Sequence, residues 1–337
     1  MEIACIGTNY KQFSLTEIEP FYFAKEGLGQ LMSTIKSSGY IHECVPLLTC
    51  NRMEFYIATD AIDSAYEWIV SEISTRKSQP VSAVKRVIQV SRASAAINHL
   101  FNVVSGIESM VFGETEILSQ VKSAYSTASQ MGLTGTWLNK LFQSAVSCGK
   151  RVRAETQISI GACSVSSIAI DAIKSHHLDY FAKKILIIGL GAMGVRCLKK
   201  LHALGHPNIT VCNRTIARAE SCQETFCVSM LSFEALSTAV CDYDIVISAI
   251  SCKYPLIKGK MLDKPTAPTL IIDLGLPRNV NLDDPNQTTV ISVEGLKSHA
   301  NANAKRRQGE LAAANFIIED EQSKFYQWSE YKQHHAY

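Results

Sequence analysis

The stretch Leu47–Tyr56 brings a thiol and several polar side chains together at the end of an apolar run. The neighbours of Cys50 are a hydroxyl, an amide, a guanidinium and a carboxylate, supplied by Thr49, Asn51, Arg52 and Glu54. So many polar side chains are not expected on a strand buried in a hydrophobic core, because each polar group buried without a partner destabilises the fold by roughly 1–3 kcal/mol. If the backbone is extended here, residues two apart share a face, and Cys50, Arg52 and Glu54 point the same way.

This pattern predicts a nucleophilic cysteine beside a fixed cation. A nearby guanidinium favours the thiolate of Cys50 over the thiol, and Arg52 can hold a carboxylate through two parallel hydrogen bonds. The alternative is that Cys50, one of eleven cysteines, is simply buried, since free cysteine is among the most buried residue types. The stretch by itself leaves both interpretations open.

A second motif lies in the second half of the chain. Lys184–Ile188 has the pattern of a buried strand, a glycine-rich turn follows, and a helix continues through Ala203. In that context Gly-x-Gly-x-x-Gly predicts dinucleotide binding, because the glycines let backbone N–H groups approach a pyrophosphate at the helix N-terminus. The residues expected at the cofactor are Gly189, Leu190, Gly191, Ala192, Met193 and Gly194.

The end of the next predicted strand, Asn208–Cys212, decides between two cofactors. An NAD site places Asp or Glu at this point, on the ribose hydroxyls. Here Asn213 and Arg214 follow the strand, with Arg218 one turn later. A cation without an acid favours the 2′-phosphate of NADP, so NADPH is the predicted cofactor. A Rossmann-like domain that binds no dinucleotide is the alternative.

Between these two motifs the pattern becomes helical. Apolar residues recur at three- and four-residue spacing from Ile97 to Val104, which predicts an amphipathic helix with His99 off its apolar stripe. A lone histidine there is more typical of a surface or a hydrogen-bonded core position. The following segment, 105–116, carries two glycines and three carboxylates, and loops of this kind often hold binding sites.

Length and charge limit the class of protein. A chain of 337 residues is long enough for two domains, and 47% hydrophobic with 19% charged residues is typical of a globular protein. The formal charge of +2 does not predict nucleic-acid binding through net charge, so any RNA contact needs a local basic patch. Lys150–Arg153 and Lys305–Arg307 are candidates, although such runs more often form solvated helix faces.

The cysteines and the hydropathy pattern exclude further classes. The chain has no C-x-x-C pair and no histidine at metal-ligand spacing, which argues against a disulfide framework and against a zinc site. No signal pattern follows Met1, and no apolar run approaches the 18 or so residues of a membrane span. These features predict a cytoplasmic protein without a metal or a membrane contact, in a reducing compartment.

The order of the predicted elements gives an α/β fold in three parts. Residues 1–156 form an N-terminal α/β catalytic domain with the thiol at a strand end, and residues 157–293 form a Rossmann-type doubly wound NADP-binding domain. Residues 294–337 contribute a long C-terminal helix, with Ala302–Trp328 as its continuous part.

A thiolate, a carboxylate-binding arginine and a hydride donor together restrict the chemistry. They predict the reduction of an activated acyl group to an aldehyde through an acyl-cysteine, since covalent capture divides one difficult step into two easier ones. A thioester carbonyl is less resonance-stabilised than an oxygen ester and therefore accepts hydride more readily.

Several motifs, in the same order along the chain, resemble the glutamyl-tRNA reductase family. They are LLTCNRMEFY at 47–56, HLFNVVSGIESMVFGETEILSQ at 99–120, GKRVRAET at 149–156, the glycine turn at 189–194, NRTIARA at 213–219 and DLGLPR at 273–278. The resemblance spans about Met1 to Trp328.

The resemblance implies an activity and a set of site residues. Cys50 is expected to attack the ester of glutamyl-tRNA(Glu), releasing tRNA, and hydride from NADPH then gives glutamate 1-semialdehyde, the first step of the five-carbon route to 5-aminolevulinate and tetrapyrroles. Arg52 is expected to hold the substrate's side-chain carboxylate, and His99 aligns with a histidine important for activity. The implied glutamyl pocket consists of Thr49, Cys50, Asn51, Arg52, Ser109, Glu114, Thr115, Glu116 and Gln120.

The chain departs from the family pattern in a few places. Tyr10 replaces a usual histidine, Asn102 a usual arginine, and Glu116 a usual glutamine, which adds a negative charge near the substrate. The sequence ends near the close of the long helix, where family members continue into a dimerisation domain, so monomeric and dimeric forms both stay open. A glutamate-1-semialdehyde aminomutase is the implied protein partner.

Two other classes remain as alternatives. A shikimate-dehydrogenase-like NADP oxidoreductase also suits the Asn213–Thr215 turn, and it would make Cys50 incidental. A non-catalytic tRNA- or enzyme-binding relative could keep the fold, although the intact set of Cys50, Arg52, His99 and the glycine turn argues against it.

Overall fold

The computed structural model describes residues 1–159, 164–250, 252, 254–262, 268–282, 288–296 and 309–335. The chain divides into two compact units, one made of residues 1–162 and 303–337 and the other of residues 163–302. The C-terminal helix therefore belongs to the first unit. The three-part division given by the sequence stays a prediction.

The first unit is built around an antiparallel sheet. Its strands, in the spatial order β2-β3-β1-β4, are β1 (Glu2–Asn9), β2 (Glu43–Thr49), β3 (Arg52–Thr59) and β4 (Gln89–Arg92). Thr49 pairs with Arg52, so Cys50 and Asn51 form the two-residue turn of a β-hairpin. The prediction of the thiol at a strand end is confirmed, because β2 ends at Thr49. The extended backbone considered for residues 50–54 does not begin until Arg52, since the chain reverses direction at the thiol.

Helices cover this sheet. They are α1 (Leu15–Ile18), α2 (Lys25–Ile35), α3 (Ile62–Lys77), α4 (Val81–Val87), α5 (Ala93–Val104), α6 (Glu116–Gln130) and α7 (Thr136–Glu155). Ser14 followed by Glu17 three residues later is the sequence pattern of a capping box, and α1 begins with one: the Ser14 side chain accepts from the backbone N–H of Glu17, whose carboxylate accepts from the backbone N–H of Ser14. Two buried aromatic rings, Tyr56 of β3 and Phe142 of α7, meet edge to face across the core.

The start of α7 is fixed by a residue far away in the sequence. The Glu43 carboxylate accepts the backbone N–H groups of Trp137 (3.1 Å) and Leu138 (2.7 Å), which would otherwise lack partners at a helix N-terminus. A Cβ on Gly135 would come within 2.7 Å of Glu43 Oε1, so glycine keeps this approach open. Helix α7 is thereby tied to the first residue of the hairpin that carries Cys50.

The C-terminal helix α12 (Leu311–His334) returns to pack on α7 and α5. It buries Ala314, Ile317, Ile318 and Phe325 in the core of the first unit. The predicted helix, Ala302–Trp328, is confirmed over residues 311–328, and it continues to His334. Residues 302–308, with the Lys305–Arg307 patch, lie outside the described part of the chain.

The second unit contains a six-stranded parallel sheet in the order β12-β10-β8-β5-β6-β7. Its strands are β5 (Ile185–Ile188), β6 (Ile209–Cys212), β7 (Ser229–Leu231), β8 (Ile245–Ser248), β10 (Leu270–Asp273) and β12 (Thr289–Ser292). A small parallel pair joins β9 (Ile257–Lys258) to β11 (Val280–Asn281). The described helices are α8 (Val165–His176), α9 (Ala192–Ala203), α10 (Ile216–Phe226) and α11 (Leu236–Ala239).

Numbered along the chain, this is the strand order 3-2-1-4-5-6 of a dinucleotide-binding Rossmann fold. The central strands are buried on both faces, as parallel sheets covered by helices require. The predicted α/β class with a doubly wound domain is confirmed. No helix within the described ranges combines the length and the apolar character needed to cross a membrane.

Candidate active site

The hairpin turn between β2 and β3 presents the Cys50 thiol, which is half-buried. The backbone N–H of Asn51 donates to Thr49 Oγ1 at 3.1 Å, and the backbone N–H of Tyr10 donates to the Asn51 carbonyl at 2.9 Å. These contacts fix the turn from both sides. The predicted neighbours Thr49 and Asn51 are therefore buried beside the thiol through the geometry of the turn itself.

On strand β3, next to the turn, the buried carboxylate of Glu54 is hydrogen-bonded to three side chains. Glu54 accepts from Arg52 Nη1 at 3.0 Å and from the Tyr56 hydroxyl at 3.0 Å, and Glu54 Oε1 lies 2.7 Å from His99 Nε2. Arg52 and Glu54 are only 3% and 2% exposed. Burial raises the pKa of Glu54, but Arg52 and His99 outweigh it and lower the pKa to about 2, so the carboxylate stays ionised.

Arg52 is less available to a ligand than the sequence suggested. One terminal nitrogen binds Glu54, and the other donates to the Glu108 carbonyl at 2.5 Å. Its Nε–H is buried without a partner. The prediction that Arg52 and Glu54 share a face is confirmed, since the two side chains form a buried ion pair.

The loop between α5 and α6, residues 105–115, carries several of the predicted pocket residues. Gly106 and Gly113 adopt φ values of 82° and 77°, a left-handed conformation that favours glycine. Arg153 of α7 donates to the carbonyls of Val104 (2.8 Å), Gly149 (2.7 Å) and Glu114 (2.9 Å). Arg153 therefore joins three segments at the loop. The view of Lys150–Arg153 as a solvated face is wrong for Arg153.

The electrostatic environment of Cys50 is acidic rather than basic. Burial raises the pKa of the thiol to about 12, with further increases from Glu114 and Glu116 that exceed the lowering by Arg52. Arg52 does lower the pKa of Cys50, as the sequence predicts, but burial and the two acids outweigh it, so the thiol is the favoured form. Burial and Glu116 likewise raise the pKa of Glu114 to about 7.

Buried polar atoms without hydrogen-bond partners concentrate here. Among the described residues they belong to Thr8, Asn51, Arg52, Ser109 and Arg153. Ser109 Oγ lies near the Glu114 carboxylate without reaching hydrogen-bonding geometry. Since buried polar groups are nearly always paired in folded proteins, the grouping of Asn51 Oδ1, Arg52 Nε and Ser109 Oγ around the thiol indicates a site that a polar ligand completes.

The remaining predicted pocket residues lie on α6 or next to it. Glu116 is buried in the first turn of α6, Gln120 is half-buried one turn later, and Thr115 is exposed. His99 reaches the site through Glu54 and lines a polar cavity of about 90 Å³. Its other lining residues are Cys5, Gly7, Thr8, Asn9, Gln12, Glu54, Gln89 and Ser91.

In the second unit, the glycine turn has the shape that a pyrophosphate needs. Gly189 has a φ of 91°, and a Cβ there would lie 2.7 Å from the Ala249 carbonyl oxygen. A Cβ on Gly194 would lie 1.8 Å from the Gly189 carbonyl oxygen, whereas nothing lies within 4 Å of one on Gly191. The first and third glycines allow close packing, and the second leaves open space at the N-terminus of α9.

Asn213 stabilises this turn instead of pointing freely at a ribose. Its Oδ1 accepts the backbone N–H of Leu190 at 3.0 Å, and its Nδ2 donates to the Thr215 carbonyl at 2.9 Å. Arg214 and Arg218 are exposed beyond it. The glycine turn and the open space at Gly191 fit the pyrophosphate of a dinucleotide.

Three site residues escaped the sequence reasoning. Burial raises the pKa of the Tyr22 phenol, and the charge of a Cys50 thiolate raises it further, which places Tyr22 near the thiol. Tyr10 lies beside Arg52, and burial raises its pKa to about 12. Arg153 is the third. Neither the tyrosines nor Arg153 carries a spacing signal, because long-range packing brings them to the hairpin.

Two family models match the chain. Residues 6–156 match "Glutamyl-tRNAGlu reductase, N-terminal domain", and residues 171–299 match "Shikimate / quinate 5-dehydrogenase". Fold and site thus define an oxidoreductase whose second unit is of the NAD(P)-binding type and whose first unit carries a candidate cysteine nucleophile.

Curated relatives cover most of the chain. The glutamyl-tRNA reductase of Geobacillus thermodenitrificans is 34% identical over 335 residues, which are 97% of this chain and 74% of the relative. That of Desulfitobacterium hafniense is 32% identical over 330 residues, with 96% and 74% coverage. The solved glutamyl-tRNA reductase from Methanopyrus kandleri is 31% identical with a TM-score of 0.54, covering 97% of this chain and 80% of that one. The chain belongs to the glutamyl-tRNA reductase family.

Proposed function

We propose that this protein reduces glutamyl-tRNA(Glu) to glutamate 1-semialdehyde with NADPH, through a thioester on Cys50 and with release of tRNA. The observation that carries the proposal is the half-buried Cys50 thiol on a hairpin turn, surrounded by buried polar atoms that lack partners. A nucleophile placed next to unpaired donors and acceptors is suited to a small polar acyl group.

The charges around Cys50 match a glutamyl group. Its α-ammonium is a cation, and the buried carboxyls of Glu114 and Glu116 offer it a counter-charge. Its side-chain carboxylate is an anion, for which the Arg52 Nε–H and the Ser109 hydroxyl are free. Binding the ammonium also offsets the two acids that raise the pKa of Cys50, so substrate binding itself makes the thiol easier to ionise.

In the first step, Cys50 Sγ attacks the ester carbonyl and loses its proton, and the ribose oxygen of the tRNA departs and gains one proton, so no net proton is released. A bond from sulfur to the acyl carbon forms as the carbon–oxygen bond breaks, which leaves a thioester. Arg52 stays fixed throughout by Glu54 and the Glu108 carbonyl, so the acyl group is held in one orientation. We assign His99 a supporting role, because Glu54 holds its Nε2.

The second unit would hold the dinucleotide. The open space at Gly191 and the N-terminus of α9 suit the pyrophosphate, and the cations Arg214 and Arg218 suit a 2′-phosphate. When bound, NADPH supplies the hydride that reduces the thioester to the aldehyde. The reactive product would pass to a glutamate-1-semialdehyde aminomutase, which we propose as a partner. A homodimer remains a prediction.

One experiment separates this proposal from its alternatives. Purified protein is incubated with charged glutamyl-tRNA without NADPH, and intact mass is measured after acid quenching. We expect an increment of one glutamyl group in the wild type and in Cys227→Ser, an exposed-thiol control, but none in Cys50→Ser.

Turnover with NADPH completes the test. Aldehyde formation should disappear in Cys50→Ser and persist in Cys227→Ser. Full turnover in Cys50→Ser would favour a shikimate-dehydrogenase-like enzyme. That class is consistent with the family model that residues 171–299 of the second unit match. A wild type that neither forms the adduct nor turns over would favour a non-catalytic relative.

A further inference from the structure

One buried side chain of the second unit joins the segments that follow β8 and β10. Asn279 is 0% exposed and lies after β10, immediately before β11. None of the described residues from Ala249 to Leu256, between β8 and β9, belongs to a helix or a strand. The backbone groups of this segment therefore need partners from elsewhere in the fold.

The amide of Asn279 supplies partners to three residues at the end of β8 and beyond it. Its Nδ2 donates to the Ile250 carbonyl at 2.8 Å and to Ser248 Oγ at 3.0 Å. Its Oδ1 accepts from Cys252 Sγ at 3.1 Å. Both ends of the amide are thus used, which fixes its orientation.

The backbone of Asn279 is fixed as well. Its N–H donates to Asp273 Oδ2 at 2.8 Å, and its carbonyl accepts the N–H groups of Leu256 (2.8 Å) and Ile257 (2.9 Å). A Cβ on Gly275 would lie 2.2 Å from Asn279 Nδ2, so glycine at this position leaves room for the amide. Every polar group of Asn279 has a partner, and the partners come from three separate segments.

The segment that Asn279 holds lies against the glycine turn. The N–H of Ala249 donates to the Ile188 carbonyl at 2.7 Å. A Cβ on Gly189 would lie 2.7 Å from the Ala249 carbonyl oxygen and 3.0 Å from the Ile250 nitrogen. Asn279 therefore binds the carbonyl of a residue whose nitrogen lies next to the first glycine of the turn.

The position of this network in the sheet indicates what it serves. In a Rossmann fold, the first strand-to-helix turn takes the pyrophosphate and the end of the second strand takes the adenosine ribose. The other mononucleotide half lies across the point where the strand order reverses, outside the carboxyl ends of the strands. In this sheet those strands are β8 and β10, whose ends Asn279 connects.

We propose that Asn279 is a positioning residue for the nicotinamide half of the cofactor, an inference that rests on the proposed function. It holds Ser248, Ile250 and Cys252 next to the glycine turn, and it acts through them rather than through a contact of its own. Hydride transfer is sensitive to such support, because a misplacement of about 1 Å can slow a reaction roughly 10²-fold.

The binding test compares NADPH with 2′,5′-ADP, which contains the phosphorylated adenosine half and lacks the nicotinamide half. By titration calorimetry, Asn279→Ala should bind 2′,5′-ADP as the wild type does and NADPH more weakly. The reason is that only NADPH reaches the segment that Asn279 holds. Unchanged binding of 2′,5′-ADP also shows that the second unit of the variant is folded.

The kinetic test separates the two chemical steps. The thioester is first formed on Cys50 with glutamyl-tRNA alone, and saturating NADPH is then added. Asn279→Ala should acylate at the wild-type rate but reduce the thioester roughly 10²-fold more slowly. The matched control is Asn281→Ala, an exposed asparagine of β11, which should equal the wild type in every measurement.

Hydrogen exchange of the wild type gives a measurement that needs no variant. The amides of Leu256, Ile257, Asn279 and Val280 all donate within this network. NADPH should slow their exchange more than 2′,5′-ADP does. Equal slowing by the two ligands would overturn the inference, because the network would then not respond to the nicotinamide half.

Two further results would overturn the inference while the proposed function stands. One is an Asn279→Ala protein that reduces the thioester at the wild-type rate. The other is an equal loss of affinity for NADPH and 2′,5′-ADP, which would make Asn279 a support of the whole unit. A wild type that binds NADPH but forms no glutamyl adduct would instead contradict the proposed function, and a wild type that binds neither ligand would contradict both.

Discussion

At the scale of single residues, Glu54 organises the site more than any side chain around it. Its carboxylate oxygens are hydrogen-bonded to the side chains of Arg52, Tyr56 and His99 at donor–acceptor distances of 2.7–3.0 Å. Both charges of the Arg52–Glu54 pair are buried. Removing one partner of such a pair costs roughly 3–5 kcal/mol, because the other charge is left uncompensated. The geometry of the pocket therefore depends on this carboxylate.

Glu54→Gln should lower the free energy of unfolding near neutral pH by roughly 3–5 kcal/mol. The pKa of Glu54 is lowered from 4.5 to about 2 in the folded protein, so its stabilisation is present above about pH 4.5 and is lost as the pH falls towards 2. Urea unfolding at several pH values should show this acid-sensitive component in the wild type and a smaller one in the variant.

The control for this measurement is Glu67→Gln, which breaks an exposed pair with Lys85. Such pairs contribute roughly 0–1 kcal/mol. Equal effects of the two substitutions would contradict the role given to Glu54.

At the scale of elements, the glycine turn and the end of β6 act as one structure. Asn213 closes the turn through the Leu190 N–H, which leaves Arg214 as the first exposed side chain after the strand. The sequence assigned Asn213 and Arg214 to the same cofactor contact. The structure divides them, since Asn213 shapes the turn, whereas Arg214 is exposed to solvent.

Arg214→Glu should weaken NADPH binding by roughly tenfold or more, because a charge-assisted hydrogen bond contributes about 1.5–3 kcal/mol. NADH lacks the 2′-phosphate and should bind as it does to the wild type. Fluorescence titration of both cofactors checks this, with Lys199→Glu, an exposed cation on α9, as the control. Equal losses for NADPH and NADH would remove the 2′-phosphate assignment.

At the scale of the whole molecule, the chain leaves the first unit, forms the second, and returns. Helix α12 completes the first unit by burying Phe325, which is 1% exposed. Trp328 meets Trp137 of α7 edge to face, and Arg151 of α7 binds Asp320 and Glu321 of α12. The stability of the unit that holds Cys50 thus depends on a segment more than a hundred residues away in the sequence.

Phe325→Ala should destabilise the first unit by roughly 3–5 kcal/mol, through the cavity left in its core. Phe316→Ala on the same helix, at a position 74% exposed, should change stability by no more than about 0.5 kcal/mol. Thermal unfolding checks both variants. NADPH affinity, a property of the second unit, should stay unchanged, and a loss of it in Phe325→Ala would show that the two units do not fold independently.

The sequence by itself determined the features that depend on local pattern. A buried strand, a glycine turn and a helix defined the second unit, Ser14 and Glu17 marked a helix start, and the residues next to Cys50 marked the thiol as unusual. Each of these signals lies within a few positions, where backbone geometry fixes which groups can meet.

Only the tertiary structure decided how the site works. The pairing of Thr49 with Arg52 showed that the expected strand end at the thiol is the turn of a hairpin. Packing then placed Glu114 near the thiol and Arg153 on the loop, which replaced the expected thiolate by a thiol in an acidic pocket. These contacts join segments as far apart as Cys50 and Glu114, 64 positions along the chain, and the spacing of residues along a chain carries no information about which distant segments will share a low-dielectric interior.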